Sequence, residues 1–331
     1  MRLVLAAVLV TASASSAFEL KRDSAGEPAA WKTPLHFIVD EHLATRLQAK
    51  GSAEAVRAAL ETVNTAFPTL HLSAEAGKPQ GMGYDFEHPE ASTSDVSAPE
   101  EWKWNVDAVA TTVITLSRST HQIIEADIAF NVKHTDFAVV AGDAGSERYD
   151  VQNAMTHELG HALGLAHNNL PKTVMFPSSF PGEIGKRALA ADDLDGLRFL
   201  YGQTAPVSEE PTRGCSTTGS APFALAALLL GIGARRRRMF VALAAAVGAL
   251  IFVGPVFAAA PAAERVWTVL AVTTHPPGAG AAILESEVTL SRGHELRTMR
   301  FAGGRWGDLE QVVEGVAVPL VGESLSSVGD L

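Results

Sequence analysis

The stretch His157-Glu158-Leu159-Gly160-His161-Ala162-Leu163-Gly164-Leu165-Ala166-His167 constrains this chain more than any other feature. On a helix, two histidines four residues apart project from one face, so their imidazoles can meet. Gly164 follows at the point where that helix must stop and turn if His167 is to approach from the side. Glycine takes the positive φ of such a turn at little cost. Three neutral imidazoles leave one tetrahedral position open, the arrangement of a catalytic and not a structural zinc site. Glu158 reaches the same cleft without competing as a ligand, which makes it the candidate general base. From composition alone, His-Glu-x-x-His arises by chance roughly 0.03 times in a chain of this length, and about 10⁻⁴ times with the glycine and third histidine. Coincidence is a poor account.

Composition narrows the chemistry. Cys215 is the only cysteine among 331 residues, so a disulfide framework and a multi-cysteine metal site are excluded. A metal must be held by His, Asp or Glu. With 47% apolar and 19% charged residues the chain can bury a core, which excludes wholesale disorder. The formal charge is −11, and residues 18–203 hold 15 Lys and Arg against 26 Asp and Glu. That excess repels a phosphate backbone, so no nucleic-acid partner is expected there.

Residues 1–17 join one basic residue, Arg2, to an apolar run and end in Ser15-Ser16-Ala17, the form of a cleavable signal peptide. Export follows. Residues 18–203 read as one mixed domain. Its pattern predicts a strand at 35–39, then a helix over 52–67 with Val56, Ala59, Leu60, Val63 and Phe67 on one face, then a strand at 70–72. The polar Gly/Pro/Ser run 77–103 predicts a long surface loop. Runs 109–116 and 123–130 are rich in β-branched residues and flank a polar turn, which predicts a hairpin. Helices are expected at 151–163 and 190–201, the second capped by Gly202.

A Pro/Ser/Thr linker follows at 204–220. Residues 221–238 are a short apolar segment closed by four arginines, and 239–260 is an apolar run of 22 residues, long enough to span a membrane. The second run also has the form of a second signal peptide, so a membrane hairpin and a fusion of two reading frames both stay open. Residues 261–331 read as a small β-rich tail, with strand-like runs at 267–272 and 283–290 and no legible chemistry.

The histidine pattern, followed by Thr173-Val174-Met175-Phe176-Pro177, resembles that of the metzincin zinc endopeptidases. The resemblance implies that Met175 lies beneath the metal as an apolar floor. Residues 126–130 and 189–202 resemble the strand before the active helix and the final helix of the matrixin (matrix metalloproteinase-like) group. Pro177 stands where the astacin and serralysin groups place a metal-reaching tyrosine. The implied fold is α+β, a zincin-like catalytic domain with a mixed twisted sheet and about three helices, one carrying the histidines. By the same resemblance His157, His161 and His167 hold one catalytic zinc, Glu158 is catalytic, and residues 176–183 wall the specificity pocket.

Departures matter as well. His134-Thr135-Asp136-Phe137 resembles the start of a second zinc site, but no further histidine lies between Phe137 and His157, so His134 reads as a solvated loop residue. Calcium at Asp127, Asp136, Asp143 or Asp150 would suit a hard cation, with plain surface acidity the simpler reading. The cysteine that keeps matrixin zymogens latent is missing before the domain. In matrixins the new N-terminal ammonium pairs with an aspartate of the final helix, which makes the Phe18 amine a partner for Asp192 or Asp193. The rival account leaves both acids as favourable charges at a helix N-terminus.

The function implied is hydrolysis of a protein or peptide lying extended beside an edge strand, from 109–116 or 135–141. Gly214-Cys215, the apolar run and the arginines resemble a MYXO-CTERM-type sorting signal. That implies a chain held at the membrane through 221–260 and processed near Cys215, unless the thiol is merely left over. The rival from another class is a zinc-holding surface binding or adhesion module without turnover, and Glu158 argues against it. Oligomeric state has no signature here.

Overall fold

One mixed sheet organises the chain. Its strands are β1 (His36–Asp40), β2 (Ser73–Gly77), β3 (Ser94–Ser97), β4 (Ala110–Ser117), β5 (Gln122–Phe130), β6 (Gly304–Trp306) and β7 (Leu309–Val313). Their spatial order is β6-β7-β4-β5-β3-β1-β2. Strands β2, β1, β3 and β5 run parallel, whereas β4, β7 and β6 each lie antiparallel to their neighbours. The computed structural model describes residues 17–32, 34–141, 146–202, 266–275, 281–292, 295–316, 318–319, 321 and 323–325. Residues 1–16 of the expected signal peptide 1–17, Asp143, the expected linker 204–220 with Cys215, and the apolar segments 221–238 and 239–260 lie outside them. Among the described residues no helix is long and apolar enough to cross a membrane.

Three longer helices accompany the sheet: α1 (Ser52–Ala66), α2 (Val151–Ala162) and α3 (Ala191–Tyr201). α1 is amphipathic and buries Ala55, Val56, Ala59, Leu60 and Val63. It packs on α2, which also touches β4 and β5. Enclosed in this way, α2 leaves only Gln152 unburied. A helix so placed can carry histidines and a glutamate only if each finds a partner, because an unpaired buried polar group costs about 1–3 kcal/mol. That demand shapes the site.

Two expectations fail, for physical reasons. Residues 70–72 are no strand: Pro68–Leu70 make a single 3₁₀ turn, His71 has φ +50°, and the strand starts at Ser73. The polar run 77–103 is no continuous loop, because β3 lies inside it between β1 and β5. Its polar side chains complete sheet bonds instead of meeting water. Ser94 Oγ accepts from the Ala126 N–H (3.0 Å), and the Asp95 N–H donates to Asp127 Oδ1 (2.8 Å). The hairpin forms as β4 and β5.

The tail builds a four-stranded antiparallel sheet from Glu295–Ala302, Glu285–Arg292, Trp267–His275 and Ser324–Leu325. Trp267, Val269, Val288, Leu290 and Phe301 fill its core. Strands β6 and β7 leave that sheet and continue the main one through β4, so the described residues form one compact unit.

Candidate metal centre

The site begins with how α2 starts and stops. Asp150 caps it, accepting from the Asn153 N–H (2.8 Å) while pairing with Arg187. At the other end three orphan carbonyls need donors. The Trp31 indole N–H reaches the Ala162 carbonyl (2.7 Å), the Tyr201 hydroxyl reaches that of Leu163 (2.7 Å), and the Lys21 N–H reaches that of Gly164 (2.8 Å). Gly164 has φ +94°, and a Cβ there would lie 2.2 Å from the Ala29 carbonyl oxygen. Only glycine fits, and the turn it permits brings His167 back toward the helix.

His157 Nδ1 donates to the Val174 carbonyl (2.6 Å), and His161 Nδ1 to that of Leu165 (2.9 Å). A carbonyl can only accept, so each Nδ1 carries the proton and each Nε2 keeps its lone pair. The Nε2 atoms of His157 and His161 both lie 3.1 Å from that of His167. Lone pairs facing one another at that distance repel unless a cation sits among them. Zinc fits: tetrahedral bonds of about 2.0–2.1 Å to nitrogen give ligand edges of about 3.3 Å. Burial also holds the ring pKa values well below the usual histidine range at His157 and His161, and lowers that of His167. Neutral imidazoles are what a metal needs. Among the described residues this is the one cluster of three such donors close enough to share an ion.

Met175 is buried beneath α2, where a Cβ added at Gly160 would lie 2.3 Å from its sulfur. Asp193 fixes that turn by accepting from the N–H groups of Val174 (2.9 Å), Met175 (3.2 Å) and Ala190 (2.8 Å). Asp192 does something else. It accepts from Asn168 Nδ2 (2.9 Å) and from the Ala17 N–H (2.8 Å). The Ala17 peptide N–H thus meets α3 one residue before Phe18, while Asp193 accepts from the methionine turn and from Ala190. Pro177, Ser178 and Ser179 line a cleft of ≈330 Å³ that also takes in His157, Glu158 and His167.

Glu158 Oε2 accepts from Thr112 Oγ1 on β4 (2.6 Å), and burial pushes its pKa up to about 8. Two further residues of the site went unread in the sequence. Lys186 is buried, donates to the Phe176 carbonyl, and is held below the usual lysine pKa by desolvation. Glu314 places its carboxylate 3.6 Å from His161 Nδ1 and 3.5 Å from His167 Nδ1, and ion-pairs with Lys21. For Lys186 the signal was its place just past the 176–183 wall. For Glu314 the sequence held no signal, since it lies outside both strand-like tail runs, 267–272 and 283–290.

The calcium expectation finds no common point. Asp127 is buried in β5, accepting from the Gly83 and Asp95 N–H groups; Asp150 is the helix cap; Asp136 is exposed. His134 is an exposed loop residue, as expected. Neither candidate edge strand is a free edge of the main sheet: 110–117 borders the cleft but is paired on both sides, with β5 and β7, and Phe137–Ala138 pairs with Tyr149–Asp150 outside that sheet.

Comparison with known proteins agrees with this geometry. The Matrixin family pattern matches residues 31–202. Metalloendoproteinase 1 of Glycine max is 38% identical over 71 residues, covering 20% of this chain and 23% of the relative. Macrophage metalloelastase of Oryctolagus cuniculus is 47% identical over 55 residues, 17% of this chain and 11% of that protein. Matrilysin of Homo sapiens is 44% identical over 50 residues, 15% and 19% respectively. The matched stretch therefore spans less than a quarter of each of these relatives. With half of its length matched by one family pattern over the domain that builds the three-histidine cluster, the chain belongs to the matrixins, a family of zinc metalloendopeptidases that hydrolyse peptide bonds.

Proposed function

We propose that this protein is a zinc-dependent endopeptidase whose ligands are His157, His161 and His167 and whose general base is Glu158. One observation carries the reading: three Nε2 lone pairs converge in a cleft that a buried carboxylate shares. When bound there, zinc supplies a Lewis acid and makes hydroxide available near neutral pH. Glu158 takes the proton of the attacking water as oxygen joins the scissile carbonyl carbon, and delivers it to the departing amine as the C–N bond breaks. Thr112 holds the carboxylate toward the cleft through the 2.6 Å bond.

Met175 and the wall at Pro177 shape the cleft, while Asp193 keeps that turn in place. A peptide pairing with β4 by strand addition would present its carbonyls along the cleft. The adhesion alternative leaves the buried Glu158 without a purpose. From 1–17, 221–260 and Cys215 we read an exported protein held at a surface; this rests on sequence pattern. Cleavage immediately before Ala17 would turn the amide already bonded to Asp192 into an ammonium and strengthen that contact.

Glu158→Gln tests the assignment. The variant should keep one zinc per chain by elemental analysis and lose peptide hydrolysis by about 10²–10⁴-fold, the range for a general base. Unchanged hydrolysis would remove Glu158 from the mechanism. A zinc-free parent chain would remove the whole proposal.

A further inference from the structure

Strand β7 covers the flank of β4 that borders the cleft, with β6 outside it. It pairs antiparallel with β4, with Leu309 to Val313 set opposite Ser117 to Val113. The pairing extends at both ends, since the Arg118 N–H donates to the Asp308 carbonyl (2.7 Å) and the Glu314 N–H to that of Thr112 (2.9 Å). By the alternation of an antiparallel ladder, the Thr112, Ile114 and Leu116 amides then face β7. An extended peptide adding to β4 would need those same amides.

The contact is specific along its length. At the outer end the Asp308 carboxylate accepts from Ser117 Oγ (2.7 Å), the Ser119 N–H (2.8 Å) and Ser119 Oγ (2.9 Å). Midway, Gln311 Nε2 donates to Thr115 Oγ1 (3.1 Å) and Gln311 Oε1 accepts from the Leu284 N–H (2.7 Å). At the inner end Glu314 enters the cleft and faces His161 and His167, latched by Lys21. Lys21 belongs to the segment that also bonds the Gly164 carbonyl. The carboxylate lies on the Nδ1 side of those rings, behind the Nε2 atoms that converge, and fills the inner end of the cleft. Backbone pairing and a side chain in the cleft together imitate a bound peptide.

We infer that residues 304–315 are a built-in inhibitory strand, which keeps the intact chain latent by filling the peptide-binding edge of β4 and setting Glu314 against the histidine cluster. The inference rests on the peptidase reading, and its occupant is this chain's own tail. Release of that strand is the activating event.

The test uses the full zinc-loaded chain and its Val312→Pro and Glu314→Gln variants. Proline at 312 cannot donate to Ile114 and breaks the ladder. Three quantities are read: hydrogen exchange at Thr112, Ile114 and Leu116, affinity for a short hydroxamate-capped peptide, and hydrolysis of a quenched fluorogenic peptide. Val312→Pro should speed exchange at those amides, bind the hydroxamate at least tenfold tighter, and raise kcat/KM at least tenfold. Glu314→Gln should give a smaller gain, about threefold to tenfold, with the amides still protected. Equal hydroxamate affinity in the parent and Val312→Pro overturns the proposal. So does faster exchange without any gain in kcat/KM, or protection that grows with protein concentration, which would assign the strand to a second copy. If the hydroxamate separates the chains but none hydrolyses peptide, the peptidase reading fails and occlusion of the edge stands.

Discussion

Two buried polar clusters sit within the same domain, and they resolve the cost of burial in opposite ways. On α2, every histidine Nδ1 that points into the protein finds a carbonyl, and the spare Nε2 lone pairs are aimed at one another. In β5, Glu125 and Asp127 are buried side by side with Asp95 across the sheet, and Glu125 Oε1 has no hydrogen-bond partner. Glu125 Oε2 accepts from Thr115 (2.7 Å), and both Asp127 oxygens accept backbone N–H groups. The first cluster is unsatisfied only at a common point. The second is unsatisfied at a single oxygen with no convergence. Convergence marks a ligand site, and its absence marks a stored proton: burial raises the carboxyl pKa values of Glu125 and Asp127, Glu125 raises that of Asp127 further, and the charge of Asp95 raises both.

The largest expected effect lies on the histidine side. His161→Ala removes one of three nitrogens from a centre with no other clustered donor among the described residues. Changes to groups that merely orient a metal ligand cost about 10–100-fold, so losing the ligand itself should lower zinc affinity and hydrolysis by more than about 100-fold. Zinc titration and a peptide assay check it. Retention of a full zinc equivalent would mean that the three imidazoles do not act together, and the contrast between the clusters would vanish.

The next effect probes how closely the histidine side is shaped. Gly160 carries no chemistry, yet a methyl there meets the Met175 sulfur at 2.3 Å, inside the helix that holds His157 and His161. Overpacking of this kind costs about 1–3 kcal/mol. Gly160→Ala should therefore lower the unfolding free energy by that amount in denaturant melts, with a larger loss in kcat than in zinc content. A neutral result would show that the methionine turn yields freely, and that the site tolerates the looseness seen around Glu125.

Legibility followed sequence distance. The ligands lie within eleven residues, so helix periodicity and one glycine were enough to place them, and Gly164 has the backbone that the spacing demanded. Strand β3 was invisible because Ser94 and Asp95 spend their polar groups on sheet neighbours, and a composition rule reads that as a loop. Glu314 was invisible for a different reason. It meets Lys21 across 293 positions, and neither residue differs from an ordinary surface charge until the chain has folded. The roles of Asp192 and Asp193 were separable only through the donors that each accepts.

The smallest effect tests the carboxylate side. In the unfolded chain Glu125 titrates near about 4.3, whereas in the fold its proton is held more tightly. Between those two pKa values the native state carries a proton that the unfolded state has released. Stability contributed by this group is therefore full below the unfolded value and declines as pH rises. Glu125→Gln cannot ionise, and its amide adds donors where Oε1 has no partner. The variant should be more stable than the parent at pH 8 by about 1 kcal/mol, a Tm gain of about 2–4 °C for a domain of this size. By pH 5 the gap should shrink, because a larger share of the parent then carries the proton at this position. Calorimetry at the two pH values decides it. A variant that loses stability at pH 8 would mean that Glu125 is held ionised by a positive partner, and the two clusters would then differ only in which ion they gather.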